Sequence, residues 1–252
     1  LNVGGTVSTA VLNLSGITWN NVTLASTTNI ITITLTSNMD VNGTLTLGAT
    51  SLALTLNGFT INAGGSLTIA PTTGRVIGTT NIIMDGTGTW SSSLTTGDFL
   101  NNLTFNTAGT VTISGAVNYN TGTITYTAGT MVTTGSTLVL FSSSSTLNTN
   151  GMSWNNITIQ TNTHTLTINS LLTISGTLTI NIATTFAGTA GWTAATVTNS
   201  TTNITYTLTA AQTYTITTSM AIIGGGAGTR NRFISATAGS FANLILNPGA
   251  AQ

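Results

Sequence analysis

The sequence predicts an all-β chain wound as a parallel β-solenoid of irregular repeats. Three observations carry the prediction. Apolar residues alternate with Thr, turn-forming dipeptides separate the alternating runs, and one block recurs with the strands after it in the same order.

The 252 residues include 62 Thr, 27 Asn, 22 Ser and 28 Gly, over half the chain. Of 17 Thr-x-Thr triplets, 13 have an apolar middle residue, against about seven expected from a 40% hydrophobic composition. A period of two places Leu, Ile, Val and Tyr on one face of a strand and Thr on the other. Thr is β-branched, so it suits a pleated strand while staying polar. The runs break at Asn42-Gly43, Asn57-Gly58, Gly64-Gly65, Asp85-Gly86 and Asn150-Gly151, all turn formers. No window keeps helical spacing.

The elements follow in chain order. The first block, Gly16–Leu24, carries Trp19-Asn20-Asn21 and precedes the strands Ile31–Leu35 and Gly43–Leu47. A weaker copy starts at Phe99, carries Asn101-Asn102, and precedes Thr110–Ile113 and Gly122–Tyr126. A third, Gly151–Ile159, carries Trp154-Asn155-Asn156 and precedes Thr165–Ile168 and Gly176–Ile180. A fourth opens at Phe241 with Asn243, Leu244 and Leu246. The expectation is a single solenoid over 1–252, with repeats starting near 16, 97, 151 and 239. Measured at Asn21, Asn102, Asn156 and Asn243, the spacings are 81, 54 and 87 residues, near whole multiples of a unit of about 27. With coils of about 20–27 residues and about 4.8 Å of rise, a rod of roughly 45–60 Å is expected. The paired Asn residues suit turn ladders, where amides bond along the stack. Stacking also accounts for the missing charge, because like charges would align directly opposite one another. A β-sandwich array is the alternative, since alternation does not separate parallel from antiparallel pairing. A membrane β-barrel is weakened by the lack of aromatic girdles and of a charged lumen.

Trp19–Leu24, Val41–Leu47, Leu56–Ile61 and the segment Gly228–Leu246 resemble the β-helical repeats of large secreted bacterial proteins. These are adhesin and filamentous-haemagglutinin-like passengers and related phage fibre proteins. The resemblance implies a right-handed β-helix at an extracellular, cell-surface or virion-surface location. It carries over no catalytic residue.

Composition excludes several function classes. The chain has no Lys, Glu or Cys; its charges are Asp40, Asp85, Asp98, Arg75, Arg230 and Arg232, with one His164. Nucleic-acid binding is not expected, because neutralising phosphates needs Lys and Arg in number. An enzyme is not expected either: acids, bases and nucleophile partners are nearly absent, so no catalytic residue, metal or cofactor is assigned. The start at Leu1, without Met or a signal segment, fits a processed product or an internal fragment.

Each remaining candidate has a structural reading beside its functional one. The three Asp lie in turn-like contexts and are read as turn residues rather than as a paired-carboxylate hydrolase. His164 shares the face of Leu166 and is read as a packed or edge residue. The four Trp (Trp19, Trp90, Trp154, Trp192) are read as core rather than as a sugar-stacking platform. Arg230 and Arg232 share one face of an extended segment, so they are candidate contacts for a carboxylate or glycan acid, although a solvated turn is favoured. Thr rows resemble ice-binding ladders, yet turns of varying length favour plain outward strand residues.

The expected function is a non-enzymatic structural protein of an extracellular fibre, filament or surface layer, with adhesion to cell-surface glycans as an additional expected duty. It would assemble with itself through its terminal coils, with Phe241, Leu244 and Leu246 at the assembly end. A receptor- or glycan-binding fibre module is the second expectation and an ice-binding solenoid the third.

Overall fold

The computed structural model describes residues 2–3, 9–24, 31–48, 52–55, 57–70, 76–77, 81–94, 101–120, 122–160, 163–247 and 249. Among them there is no helix, and the strands stack in parallel as a β-solenoid of about 9 turns in all. That parallel pairing excludes the β-sandwich array. The chain divides into two compact units, Leu1–Val132 and Thr133–Gln252.

In the first unit a coil lays down three short strands. Val22–Leu24, Leu45–Leu47, Leu67–Ile69 and Gly88–Ser92 form one ladder. Met39–Val41, Ile61–Ala63 and Asn81–Met84 form a second, which continues into Asn102–Ile113 and Thr123–Val132. Thr9–Leu12, Ile31–Leu35, Leu52–Thr55 and Val76–Ile77 form the third. Register turns alternation into columns. Met39, Ile61, Ile82, Leu103 and Ile124 stack on one another and are buried, as do Val22, Leu45, Leu67 and Trp90. Each such side chain contributes about 1.5–3 kcal/mol relative to exposure. Thr23, Thr46, Thr68 and Ser91 align between the buried columns and are only half-buried.

The corner between the second and first ladders is built from glycine. A Cβ on Gly43 would overlap the Asn20 carbonyl, and one on Gly65 would overlap the backbone of Gly43. Successive coils touch backbone to backbone here.

The coil advance differs from the expected unit. Thr18, Asp40, Asn62, Ile83, Thr104 and Thr125 are in register, a step of 21 or 22 residues, inside the expected coil of about 20–27 but shorter than the unit of about 27 read from the block spacings. Spacing between Asn-Asn blocks does not report the coil length, because the blocks occupy different corners. Asn21 precedes the first ladder at Val22, whereas Asn102 opens a strand of the second, paired with Asn81 and Thr123. The preserved strand order has a simpler cause. Each Gly-Thr strand lies one coil beyond its Asn-Asn strand and pairs with it: Val22 with Leu45, Leu103 with Ile124, Ile157 with Leu178.

In the second unit Ser144–Asn148, His164–Ile168, Thr184–Gly188, Thr205–Leu208 and Arg232–Ser235 form one ladder. Opposite them run Thr137–Leu140, Asn156–Ile159, Leu172–Ile180, Trp192–Thr198, Thr213–Ala221 and Asn243–Leu246. The interior is aromatic toward the C-terminal coils. Trp192 packs edge-on against Tyr214 with ring centroids 5.5 Å apart, and Phe186 lies 5.8 and 5.9 Å from the two. Tyr206 stacks on Phe233 at 4.6 Å. Steps of 20 to 22 residues separate Ser144, Thr165, Thr185 and Thr207, but the last, from Thr207 to Ile234, takes 27. The excess is an excursion after Ala221 that rejoins the ladder at Arg232.

Candidate functional site

The Asn-Asn corners are axial staples. Asn21 Oδ1 accepts from the Thr44 amide at 2.8 Å, one coil on. Asn155 and Asn156 reach both ways. The Gly135 amide donates to Asn155 Oδ1 at 3.0 Å and Asn156 Nδ2 donates to the Ser136 carbonyl at 3.2 Å. On the other side Asn156 Oδ1 accepts from the Thr177 amide at 2.8 Å. Asn101 engages through its backbone, its carbonyl accepting from the Thr123 amide at 2.6 Å and the Tyr119 hydroxyl at 2.7 Å. Burial pushes the Tyr119 phenol far above its ordinary value. Asn20, Asn102 and Asn243 are exposed, and the Asn243 amide donates to the Gln212 carbonyl at 2.9 Å.

Equivalent staples stand outside the repeated blocks. Asn38 Oδ1 accepts from the Thr60 amide and Asn181 Oδ1 from the Ser200 amide, both at 2.9 Å. Their signal in the sequence is a single Asn, without an Asn neighbour, about one coil before a Thr or Ser corner.

Trp90, Trp154 and Trp192 are fully buried, so none offers a stacking platform, and Trp19 is half-buried. His164 is also fully buried. Its Nδ1 stands 2.5 Å from the Ser142 carbonyl, which only accepts, so Nδ1 carries the proton. Its Nε2 stands 3.0 Å from Ser145 Oγ, which donates to it. Burial lowers the His164 pKa and the bond to Ser142 opposes that, leaving a neutral core imidazole at pH 7.

Asp40 departs from the turn expectation. It lies within the strand Met39–Val41, with its carboxylate accepting from Thr18 Oγ1 at 3.0 Å. Asp85 does stand at a corner, just past Asn81–Met84. Burial, and then the neighbouring Asp40 charge, raise its pKa against a backbone hydrogen bond that lowers it. Asp98, Arg75, Phe99 and the repeat start near 97 lie outside the described residues. No group of three or more His, Cys, Asp or Glu stands together among the described residues.

The C-terminal coil exposes apolar side chains. Phe241 is 87% exposed, Ile234, Leu244 and Ile245 are also exposed, and Leu246 is half-buried. In the same coil Arg230 and Arg232 converge with Asn203 and Gly228 on an open cavity of about 340 Å³. The Arg232 amide bonds the Ile204 carbonyl at 2.8 Å, and its guanidinium donates to Thr205 Oγ1 at 3.2 Å. Asn231, between the two arginines, is held by three bonds. The Ile204 amide donates to its Oδ1 at 2.6 Å, while its Nδ2 donates to the carbonyls of Ile223 and Thr201 at 2.7 and 3.1 Å.

The architecture is compatible with the β-helical repeat proteins that the sequence resembles. No protein family, no curated protein and no solved structure matches the chain.

Proposed function

We propose that the chain is a non-enzymatic structural segment of an extracellular fibre, filament or surface layer, assembling with further copies of itself through its terminal coils. The supporting observation is the C-terminal coil. The strands Arg232–Ser235 and Asn243–Leu246 each pair on one side only among the described residues. Beside those open backbone edges lie Phe241, Leu244 and Ile245, all exposed. An open parallel edge with apolar side chains is a template for another coil, and head-to-tail addition that does not close gives a filament. The near absence of charge fits this reading, because stacking copies would otherwise set like charges opposite one another. An adhesin-like or phage-fibre setting is the natural home for such a segment.

Electron cryo-microscopy of the purified chain tests the reading. Filaments with an axial spacing of about 4.8 Å are expected. Replacing Phe241 and Leu244 together by Asp should abolish them while each molecule keeps its β circular dichroism. Filaments that persist in that variant refute assembly through this coil, and a monodisperse wild-type chain refutes self-assembly.

A further inference from the structure

We propose that the cavity formed by Asn203, Gly228, Arg230 and Arg232 is a binding site for a saccharide carrying an oxyanion, with the two guanidinium groups holding the anion. Four observations lead there.

The site sits where the solenoid departs from its own rule. The step that ends in it takes 27 residues, against 20 to 22 for the three before it in the same ladder. In stacked-repeat folds an excursion of this kind adds surface rather than core, and such loops gather on a binding face.

The excursion is braced. Asn231 makes its three bonds inward, to Ile204, Ile223 and Thr201. The Asn203 amide bonds the Thr229 carbonyl at 3.1 Å, and the Thr229 amide bonds Gly226 at 3.0 Å. In an extended segment, successive side chains point oppositely. An inward Asn231 therefore turns Arg230 and Arg232 the same way, which fits their meeting in one cavity.

The charge is unbalanced. Two of the three arginines in a 252-residue chain line this cavity, and no carboxylate lines it among the described residues. Arg230 makes no side-chain hydrogen bond or ion pair among the described residues, and Arg232 spends one donor on Thr205. A guanidinium has five N–H donors in a planar fork suited to a carboxylate or sulfate, so most of this capacity is unspent.

The remaining lining is polar and small. Asn203 and the backbone at Gly228 can serve hydroxyl groups, and no apolar side chain lines the cavity among the described residues. An acidic peptide would be recognised partly through apolar pockets, and none of the described lining residues supplies one. A hydroxyl-rich anion fits both the wall and the volume.

The site needs only a folded C-terminal unit, so it does not depend on filament formation. Isothermal titration with the wild-type chain tests it, using trigalacturonate as the carboxylate probe, glucose 6-sulfate as the sulfate probe and maltotriose as the neutral control. Saturable binding of at least one anionic probe is expected, weakening as salt rises, with none to maltotriose. Arg230→Ala and Arg232→Ala should each weaken it about tenfold or more, and Arg→Lys at both positions should restore only part, because an ammonium lacks the fork. The stronger probe identifies carboxylate or sulfate as the preferred anion. No saturation by either probe at about 10 mM overturns the site, as does binding that survives in the Arg230→Ala, Arg232→Ala double variant with unchanged melting temperature.

Discussion

Asn156 Oδ1 accepts a hydrogen bond from the Thr177 amide one coil further on, at 2.8 Å, and Gly176 precedes that Thr because nothing larger fits against the same oxygen. The pair explains why Asn-Asn and Gly-Thr motifs travel together. The amide supplies an acceptor to the next coil, and the missing Cβ lets that coil come close enough to use it. Gly43 repeats the arrangement over Asn21.

Gly176→Ala should therefore destabilise the chain by about 1–3 kcal/mol, since the new methyl must push one coil away from the next. Gly224→Ala is the matched control, because a Cβ there meets nothing within 4 Å. It should be neutral or stabilising by up to about 1 kcal/mol through the unfolded chain. Urea midpoints of the two variants check the contrast, and equal losses would sink the close-packing argument.

How much of this was legible in the sequence follows from which interactions are local. Inward Leu45 and Leu47 and outward Thr46 need only the period of two, and the structure places them as that period requires. The coil step was not legible from block similarity. Asn21 and Asn102 have similar neighbours in sequence but stand before strands of different ladders. Arg230 and Arg232 share a face by simple alternation, whereas the role of Asn231 depends on Thr201, Ile204 and Ile223. Only the excursion brings Ile223 and Asn231 together, and no local pattern encodes that.

Removing aromatic volume from the second unit tests the interior. Trp192 is fully buried between Phe186 and Tyr214. Trp192→Ala should cost about 3–5 kcal/mol, the range for a large aromatic cavity. Trp192→Phe should cost clearly less. It keeps a ring against both neighbours and removes an indole N–H that is buried without an acceptor. Thermal denaturation should rank wild type, Phe and Ala in that order, and an Ala variant as stable as the Phe variant would contradict the packing described.

His164 makes stability depend on pH with a definite sign. Its folded pKa lies below the ordinary 6.5, so between the two values the unfolded chain binds the proton that the folded one refuses. Stability is full above about pH 6.5 and falls as the pH drops through that value toward the folded pKa. With one His and no Glu in the chain, few other groups titrate between about pH 5 and 8. Urea unfolding at pH 7.5 and pH 5 should show a loss at the lower pH that His164→Gln removes. A loss of the same size in that variant would assign the effect elsewhere.

Asn231 offers a readout of loop bracing that needs no ligand. The chain has no Lys, so trypsin cuts only after its three arginines, and two of them flank this residue. In the folded chain the Arg232 amide is tied to Ile204 and the Asn231 side chain to Ile204, Ile223 and Thr201. Cleavage there first requires local opening. Asn231→Ala removes three hydrogen bonds, each worth about 0.5–1.5 kcal/mol net, and leaves the partner groups to solvent. Limited proteolysis should then release the C-terminal fragment beginning at Phe233 at least tenfold faster than from wild type. Melting of the molecule as a whole should change little, because the excursion contributes no core side chain. Equal cleavage rates would mean that the loop is held by something other than Asn231, and the shared orientation of the two arginines would lose its cause.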